Sequence, residues 1–476
     1  MSHLRNDLLC GRQNKDRSLF LILSEKPVSP LFLQKIPPDA VLFAWVMGDF
    51  FLVIFTEHTG RGHFCRAMRT ANWAITRQKI LRQRTEGHLT NCAIPYNIPS
   101  MKIGFNGKGA ITMGKKALVA MSGGVDSSVA AACMVQRGWD CVGVTMKLYQ
   151  GEPGQTSCSG KTCCTLDDAQ DARSVAYQLG MPFYVFNFTQ DFNRQVVERF
   201  VKAYQKGHTP NPCIDCNRFM KFDKLYQRAQ MLGCDAVVTG HYACIEQDPD
   251  SGRWLLKKSR NRAKDQSYVL YFLTQEQLAH TVLPLGAYTS KEQVRQLAAE
   301  YGFTTAHKPD SQDICFVQGG RYQEFICRYT GEQSPPGDFV NLEGRVLGRH
   351  KGLIGYTIGQ RKGLGLAVPE PLYVCGKRVK ENQVVLCTRQ QLVETQILAE
   401  QFNWISMEAP KHPIQAWAKT RYHGPEVPCT AQVLEDGRVE IRYHTPQPMA
   451  APGQAVVLYQ EDVVVGGGTI CSAQDE

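Results

Sequence analysis

The stretch ALVAMSGGVDSSVAAACMVQ, residues 117–136, constrains the fold of this 476-residue chain more than any other. Ala117 to Met121 is an apolar run of strand length, and a helical pattern rich in alanine follows two glycines. A buried strand that turns at once into a helix opens a βαβ unit. The turn leaves free backbone N–H groups at a helix N-terminus, where the dipole favours an anion, and Ser122, Ser127 and Ser128 stand around it. The spacing is not that of the G-x-x-x-x-G-K-[ST] loop, because the lysine is missing and Asp126 occupies the interior. Binding of nucleotide phosphates is therefore expected here.

The residues that follow alternate between strand and helix patterns. CVGVTMKL (141–148) and MPFYVFNF (181–188) read as strands, as does CDAVVTGHYA (234–243). LDDAQDARSVAYQLG reads as a helix with an acidic first turn, closed by Gly180. TQDFNRQVVERFVKAYQKG reads as another, with Phe192, Val196, Val197, Phe200, Val201 and Tyr204 on its apolar face. This order predicts an α/β fold built on a doubly wound parallel sheet, with ligands at the C-terminal ends of the strands. Met146, Gly240 and His241 fall at such ends. By themselves, Gly240 reads as a turn and His241 as a half-buried core histidine.

Charge narrows the partners less than it first suggests. Residues 1–112 hold 15 Lys+Arg against 7 Asp+Glu, whereas the other 364 residues hold 39 against 37, so most of the net charge of +10 lies in the first quarter. An RNA-binding claim for the main body must rest on local patches. The 18 cysteines are scattered through apolar patterns, as at Cys133, Cys141, Cys234, Cys244, Cys375 and Cys387, which fits a reducing cytoplasm. TPNPCIDCNRFMKF (209–222) is the exception, because Cys213 and Cys216 stand three apart behind an Asn-Pro pair. Half a zinc site, a redox dithiol, part of an iron-sulfur site and a catalytic thiol all remain open on spacing alone.

SGGVDSS resembles the PP-loop of the N-type ATP pyrophosphatases, which cleave ATP between the α- and β-phosphates and adenylate a carbonyl oxygen. From about Lys115 to about Ile470 the chain resembles the tRNA-specific 2-thiouridylase family, with AMSGGVDSS, NPCIDCN, KDQSYVL, DSQDICFV, TRYHG and PGQAVVLY in that family's order. The resemblance implies ATP, with Mg2+, on Ala120, Met121, Ser122, Gly123, Gly124, Val125, Asp126, Ser127 and Ser128, and adenosine at Met146 and Gly240. It implies tRNA contacts at Asn211, Pro212, Cys213, His241, Lys264, Asp265, Gln266, Arg421, Tyr422 and Gln454. Catalysis falls to two thiols: Cys315 as carrier of a persulfide, and Cys216 as the nucleophile that resolves it, leaving a disulfide to be reduced. The Asn-Pro pair would give an extended lead into a base-binding loop and leave Asn211 free to face the base.

Cys213 departs from the family pattern, in which an Asp can stand at this place. It raises the alternative of an iron-sulfur cluster on Cys213, Cys216 and Cys315 that passes inorganic sulfide. A PP-loop amidating ligase, which needs no remote second thiol, is a further alternative. Cys158, Cys163 and Cys164 form another redox or metal candidate of unknown role. The implied partners are tRNA and a persulfide donor, either a sulfur-relay protein or a cysteine desulfurase, with the chain a monomer and no membrane involved.

The expected division is an N-terminal extension (1–112), a PP-loop catalytic domain (113–320), a small central tRNA-binding domain (321–388) and a C-terminal β-barrel (389–476). GLIGYTIGQRKGLGLAV (352–368) reads as glycine-punctuated basic strands. Trp417, Lys419 and Arg421 alternate along AWAKTRYH, giving one basic and aromatic face suited to RNA. Asp436-Gly437 marks a hairpin turn. The extension contains one apolar run, Ala40 to Phe55, a weak candidate for a membrane span since it carries Asp49. Its basic stretch 69–84 is a candidate arm for RNA or membrane. Met113 begins a natural-looking start, MGKKALVAMSGG, so much of 1–112 is expected to be translated leader or unstructured.

Overall fold

The computed structural model describes residues 114–149, 166–309, 314–317 and 321–471, and the backbone of three strands before residue 57. Those strands, β1 (Leu19–Ser24), β2 (Val41–Met47) and β3 (Phe50–Thr56), form an antiparallel sheet in the order β1-β3-β2 within a separate unit, Met1–Lys108. The apolar run considered above as a membrane span is thus a pair of strands, with Met47 opposite Phe50. Between them stand Gly48 and Asp49, both turn-forming types. Among the described residues no helix is long and apolar enough to cross a membrane. The basic stretch 69–84 lies outside the described residues.

The second unit, Gly109–Glu476, is organised by a five-stranded parallel sheet. Its strands are β4 (Lys116–Ala120), β5 (Asp140–Lys147), β6 (Phe183–Asn187), β7 (Ala236–Val238) and, after a hairpin β8 (Ala243–Gln247) and β9 (Trp254–Lys258) that belongs elsewhere, β10 (Thr281–Val282). The order β10-β7-β4-β5-β6 reverses at β4, which opens a crevice beyond the ends of β4 and β7. Successive β4 side chains point to opposite faces, and both faces are covered. Ala117 and Val119 pack with α1 (Val125–Gln136), α2 (Leu166–Gln178) and, farther along the chain, Val294 and Ala298. Leu118 and Ala120 pack with α3 (189–205) and α4 (212–231). All six apolar-face residues of α3 expected above are buried, and each large one contributes about 2–3 kcal/mol. α3 and α4 both carry π-helical turns, over Asn193–Val197 and Cys216–Lys224, a rare geometry often found at functional sites.

A four-stranded sheet follows, from β11 (Gly337–Val340), β12 (Val346–His350), β13 (Tyr373–Arg378) and β14 (Gln383–Cys387). The expected strands in 352–368 are absent. That segment is a short 3-10 turn, Leu353–Gly355, followed by loop, because Gly352, Gly359, Gly363 and Gly365 all take positive φ and break extension. The C-terminal part closes into a six-stranded barrel. β15 (Val393–Trp404) pairs with β18 (Val439–Pro448) on one side and with β20 (Val463–Ile470) on the other; β16 (Ile414–Lys419), β17 (Val427–Val433) and β19 (Ala455–Gln460) complete the ring. β15 manages both partners through an irregularity between Glu400 and Asn403, where Gln401 takes φ +50°. The hairpin β8–β9 extends this sheet, with Lys257 opposite Val463, so the catalytic half contributes strands to the barrel's sheet.

Candidate active site

The phosphate loop is built by close backbone approaches. Gly123 takes φ +70°, and a Cβ there would stand 2.2 Å from the Asp168 carbonyl oxygen. Gly240, just past β7, approaches from the other side, where a Cβ would lie 2.8 Å from both Asp126 C and Ser127 N. Met121 N donates to Val144 O at 2.8 Å, and Thr145 Oγ1 donates to Met121 O at 2.6 Å, so β5 holds the loop's first residue. The three serines do not play equal parts. Ser127 and Ser128 are buried and donate their hydroxyls to Gly124 O at 3.0 and 2.9 Å, whereas Ser122 is exposed at the mouth. Ala120 and Val125 are core residues at either end, and Met146 on β5 is buried in the same cluster as Ala120.

Charges reach this loop from distant parts of the chain. Asp126 accepts from Lys291 Nζ at 2.7 Å on both carboxylate oxygens and from Tyr242 Oη at 2.7 Å. Lys291 opens α5 (Lys291–Glu300), whose Ser290 caps the N-terminus by accepting from Gln293 N. On the opposite side Lys308 Nζ donates to Asp168 at 2.5 Å, to Asp171 at 2.8 Å and to Gly123 O at 3.2 Å. Both lysines escaped the sequence reading. The available signal was His307-Lys308-Pro309, directly before the DSQDICFV motif.

NPCIDCN forms a helix where a base-binding loop was expected. Asn211 is extended at φ −109° and its Oδ1 accepts from Cys213 N at 3.1 Å, so this oxygen caps the helix and is not left for a base. Pro212 takes the first helical position, where its missing N–H costs nothing. Cys213, exposed, lies in the first turn, and Cys216 begins the π-helical turn. The free N–H groups of a helix start favour negative charge on such groups. Between them Asp215, paired with Arg199 at 3.6 Å, has its pKa pushed up to about 6 by burial, against the pull of Arg199 and Arg218.

Cys216 and Cys315 both pack at the margin of one core cluster, which also carries Tyr149, Phe219 and Tyr322 at its margin and Met146 within it. Phe316 anchors the second cysteine there. Its ring lies 5.3 Å from Phe200, 5.2 Å from Phe325 and 5.8 Å from Phe192. Burial, then Asp265, raises the pKa of Tyr422 to about 12, with a smaller contribution from Cys213. Among the described residues no three His, Cys, Asp or Glu side chains form a group able to hold a metal ion. Cys158, Cys163, Cys164 and Asp310 lie outside the described residues.

The residues expected to meet tRNA divide into structural and exposed groups. His241 is buried, its Nδ1 paired with Thr239 Oγ1 at 2.7 Å; burial, then the Lys221 cation, holds its pKa well below the ordinary range. Asp265 clamps a turn by accepting from Ser259 N at 2.8 Å and Ser267 Oγ at 2.7 Å. Gln266 Oε1 accepts from Tyr242 N at 3.0 Å, and the same side chain hydrogen-bonds Tyr422. Lys264 and Arg421 are exposed, and Arg421 donates to Met449 O at 3.3 Å. Gln454 donates to Thr209 O, which ties the barrel to the residues leading into NPCIDCN. Trp417 is exposed with Lys419 half-buried on the same outer face of β16; Arg421 falls in the turn beyond the strand and does not extend that face.

Family models match three consecutive stretches. They are described as the tRNA methyl transferase HUP domain over residues 115–319, the tRNA methyl transferase PRC-barrel domain over 323–388 and the aminomethyltransferase beta-barrel domain over 394–470. The tRNA-specific 2-thiouridylase MnmA of Lachnoclostridium phytofermentans is 48% identical over 356 residues, covering 75% of this chain and 99% of that protein. The protein of the same name in Acetivibrio thermocellus is 46% identical over 356 residues, again 75% and 99%. That of Clostridioides difficile is 45% identical over 358 residues, 75% and 98%.

Proposed function

Since the chain belongs to the tRNA-specific 2-thiouridylase family, we propose that it replaces the C2 oxygen of the wobble uridine of tRNA, position 34, by sulfur with consumption of ATP. The observation that carries this reading is the packing of Cys216 and Cys315 on one cluster with Met146, at the end of the strand that holds the phosphate loop. Oxide does not leave a pyrimidine, so O2 first attacks the α-phosphate and releases pyrophosphate. The terminal sulfur of a Cys315 persulfide then attacks C2, and AMP leaves with the oxygen. Cys216 thiolate attacks Cys315 Sγ and breaks the S–S bond; the 2-thiouridine departs and a Cys216–Cys315 disulfide is left for an external thiol to reduce.

The chain's own residues divide this work. The loop Ser122 to Ser128 takes the phosphates, and Met146 and Gly240 flank the adenosine. Mg2+ carried on nucleotide phosphates needs only one or two carboxylates, and Asp168 and Asp171, which share Lys308 beside Gly123, would supply them. Arg421, Lys264 and Tyr422 meet tRNA, while Asn211, Gln454, Asp265, Gln266 and His241 position the elements that do. The enzyme works as a monomer in the cytoplasm and is loaded by a persulfide carrier. The methyl-transferase wording of two domain descriptions is not favoured, because methyl transfer from a sulfonium donor uses neither a phosphate loop nor two thiols. A cluster on Cys213, Cys216 and Cys315 that passes inorganic sulfide is the second reading, which the Cys213→Ala variant separates from the first.

Unmodified tRNA, ATP and a small-molecule persulfide test the reading. One AMP and one pyrophosphate per 2-thiouridine is the expected stoichiometry. Formation of ADP, or thiolation without nucleotide, contradicts it.

A further inference from the structure

The phosphate loop lacks its own lysine, yet two ammonium groups reach it from far along the chain. They differ in how open they are. Lys291 is closed off, its side chain 9% exposed and bound to both oxygens of Asp126. Lys308 is 32% exposed, and its Nζ already touches the loop at Gly123 O, 3.2 Å away. It is shared between two carboxylates, Asp168 at 2.5 Å and Asp171 at 2.8 Å, so the group carries a net charge of −1 beside an anion site. Burial alone lowers the pKa of Lys308, but the bonds and charges of the two acids raise it overall, so it remains an ammonium. The Asp168 side chain is only 10% exposed, so the contact also holds the loop, and a role in binding has to be separated from that one by ligand affinity.

We propose that Lys308 is a further catalytic residue, whose ammonium leaves the Asp168–Asp171 pair to neutralise the β,γ-phosphates of ATP and the departing pyrophosphate. In space it takes the part that a loop lysine plays in other phosphate loops. It also precedes Cys315 by seven residues in the chain. Release of pyrophosphate returns the ammonium to its two acids. The inference rests on the ATP chemistry proposed above.

The test is titration calorimetry on the full chain in buffer free of divalent cations, with inorganic pyrophosphate and, separately, AMP. Lys308→Met is expected to bind pyrophosphate about tenfold or more weakly, as for loss of a charge-assisted contact, with AMP affinity within about twofold of wild type. Lys308→Arg should keep pyrophosphate affinity within about threefold. Asp171→Asn removes a competitor for the ammonium and should tighten pyrophosphate binding, the opposite sign to a structural ion pair. Pyrophosphate affinity unchanged in Lys308→Met, or equal losses for both ligands, overturns the proposal. Should Lys308→Met not fold, Asp171→Asn decides: unchanged or weaker binding overturns it. Wild type that binds neither ligand refutes the ATP reading itself, whereas wild type that binds AMP beside an unaffected Lys308→Met refutes this inference alone.

Discussion

Tyr242 donates its hydroxyl to Asp126 Oδ1 at 2.7 Å, joining the residue after His241 to the interior of the phosphate loop. The backbone of Tyr242 is held in turn by Gln266, which accepts from Tyr242 N at 3.0 Å and donates its own N–H to Tyr242 O at 2.8 Å. Gln266 also meets Tyr422, in the turn beyond β16. A continuous polar path therefore runs from the barrel to the group at the centre of the loop.

Removing the phenol tests the near end of that path. Tyr242→Phe leaves Asp126 bound to Lys291 alone and should cost about 1–2 kcal/mol in chemical denaturation, as for a hydrogen bond to a charged group. The KM for ATP should rise several-fold, while the KM for tRNA moves less. Equal changes in both would place Tyr242 outside the nucleotide site.

Gly123→Ala should be far more damaging to activity than to the fold. The added Cβ meets the Asp168 carbonyl at 2.2 Å in a left-handed conformation, so the loop must open, at a cost of about 1–3 kcal/mol. AMP formation should fall by about 100-fold or more, the scale of losing positioned phosphate contacts. Far-UV circular dichroism should be unchanged. Near-normal AMP formation would show that phosphates bind elsewhere.

Gln454→Ala frees Thr209 O and loosens the approach to NPCIDCN. The expected result is a rise of about three- to tenfold in the KM for tRNA, with kcat within about twofold, the scale of one buried hydrogen bond. A loss confined to kcat would assign Gln454 to the chemistry instead.

Glu394 supplies a pH dependence inside the barrel. Burial raises its pKa to about 7, against the Ala450 N–H, which donates at 2.8 Å, and the charge of Arg421. An acid whose folded pKa lies above its unfolded value holds a proton more tightly in the folded state between the two. Stability from this group is therefore present at low pH and is lost as pH rises from about 4.5 through about 7. Glu394→Gln keeps an oxygen acceptor and removes the penalty, so at pH 8 it should stabilise the chain by about 1–2 kcal/mol after allowance for partial exposure. At pH 4 it should have little effect. Destabilisation at pH 8 would mean that Arg421 depends on the charge.

Much of this fold could be read from periodicity. The α3 residues Phe192 to Tyr204 and the strand–glycine–helix unit at 117–136 are local patterns, and both stand as expected. The segment 352–368 misled because its apolar and basic alternation resembles a strand, while positive-φ glycines prevent one. The helix at NPCIDCN was missed because an Asn-Pro pair signals a turn as readily as a cap with proline in the first helical position. The residues proposed to carry the chemistry were named from local motifs. Lys291 and Lys308 were not, since their meeting with the loop depends on tertiary packing across 165 and 185 residues. The attachment of β8–β9 to the barrel sheet is likewise a long-range pairing with no local signal.

The central claim is that two thiols, Cys216 and Cys315, move the sulfur, and that Cys213 does not. Single-turnover thiolation of unmodified tRNA under anaerobic conditions, with ATP and a persulfide donor, measures this directly in the three alanine variants. Cys315→Ala and Cys216→Ala should each reduce 2-thiouridine by more than about 100-fold while pyrophosphate release persists, since adenylation precedes sulfur transfer. Cys213→Ala should retain most of its activity. Loss of thiolation in Cys213→Ala together with a visible chromophore, or full activity in Cys315→Ala, would contradict the account.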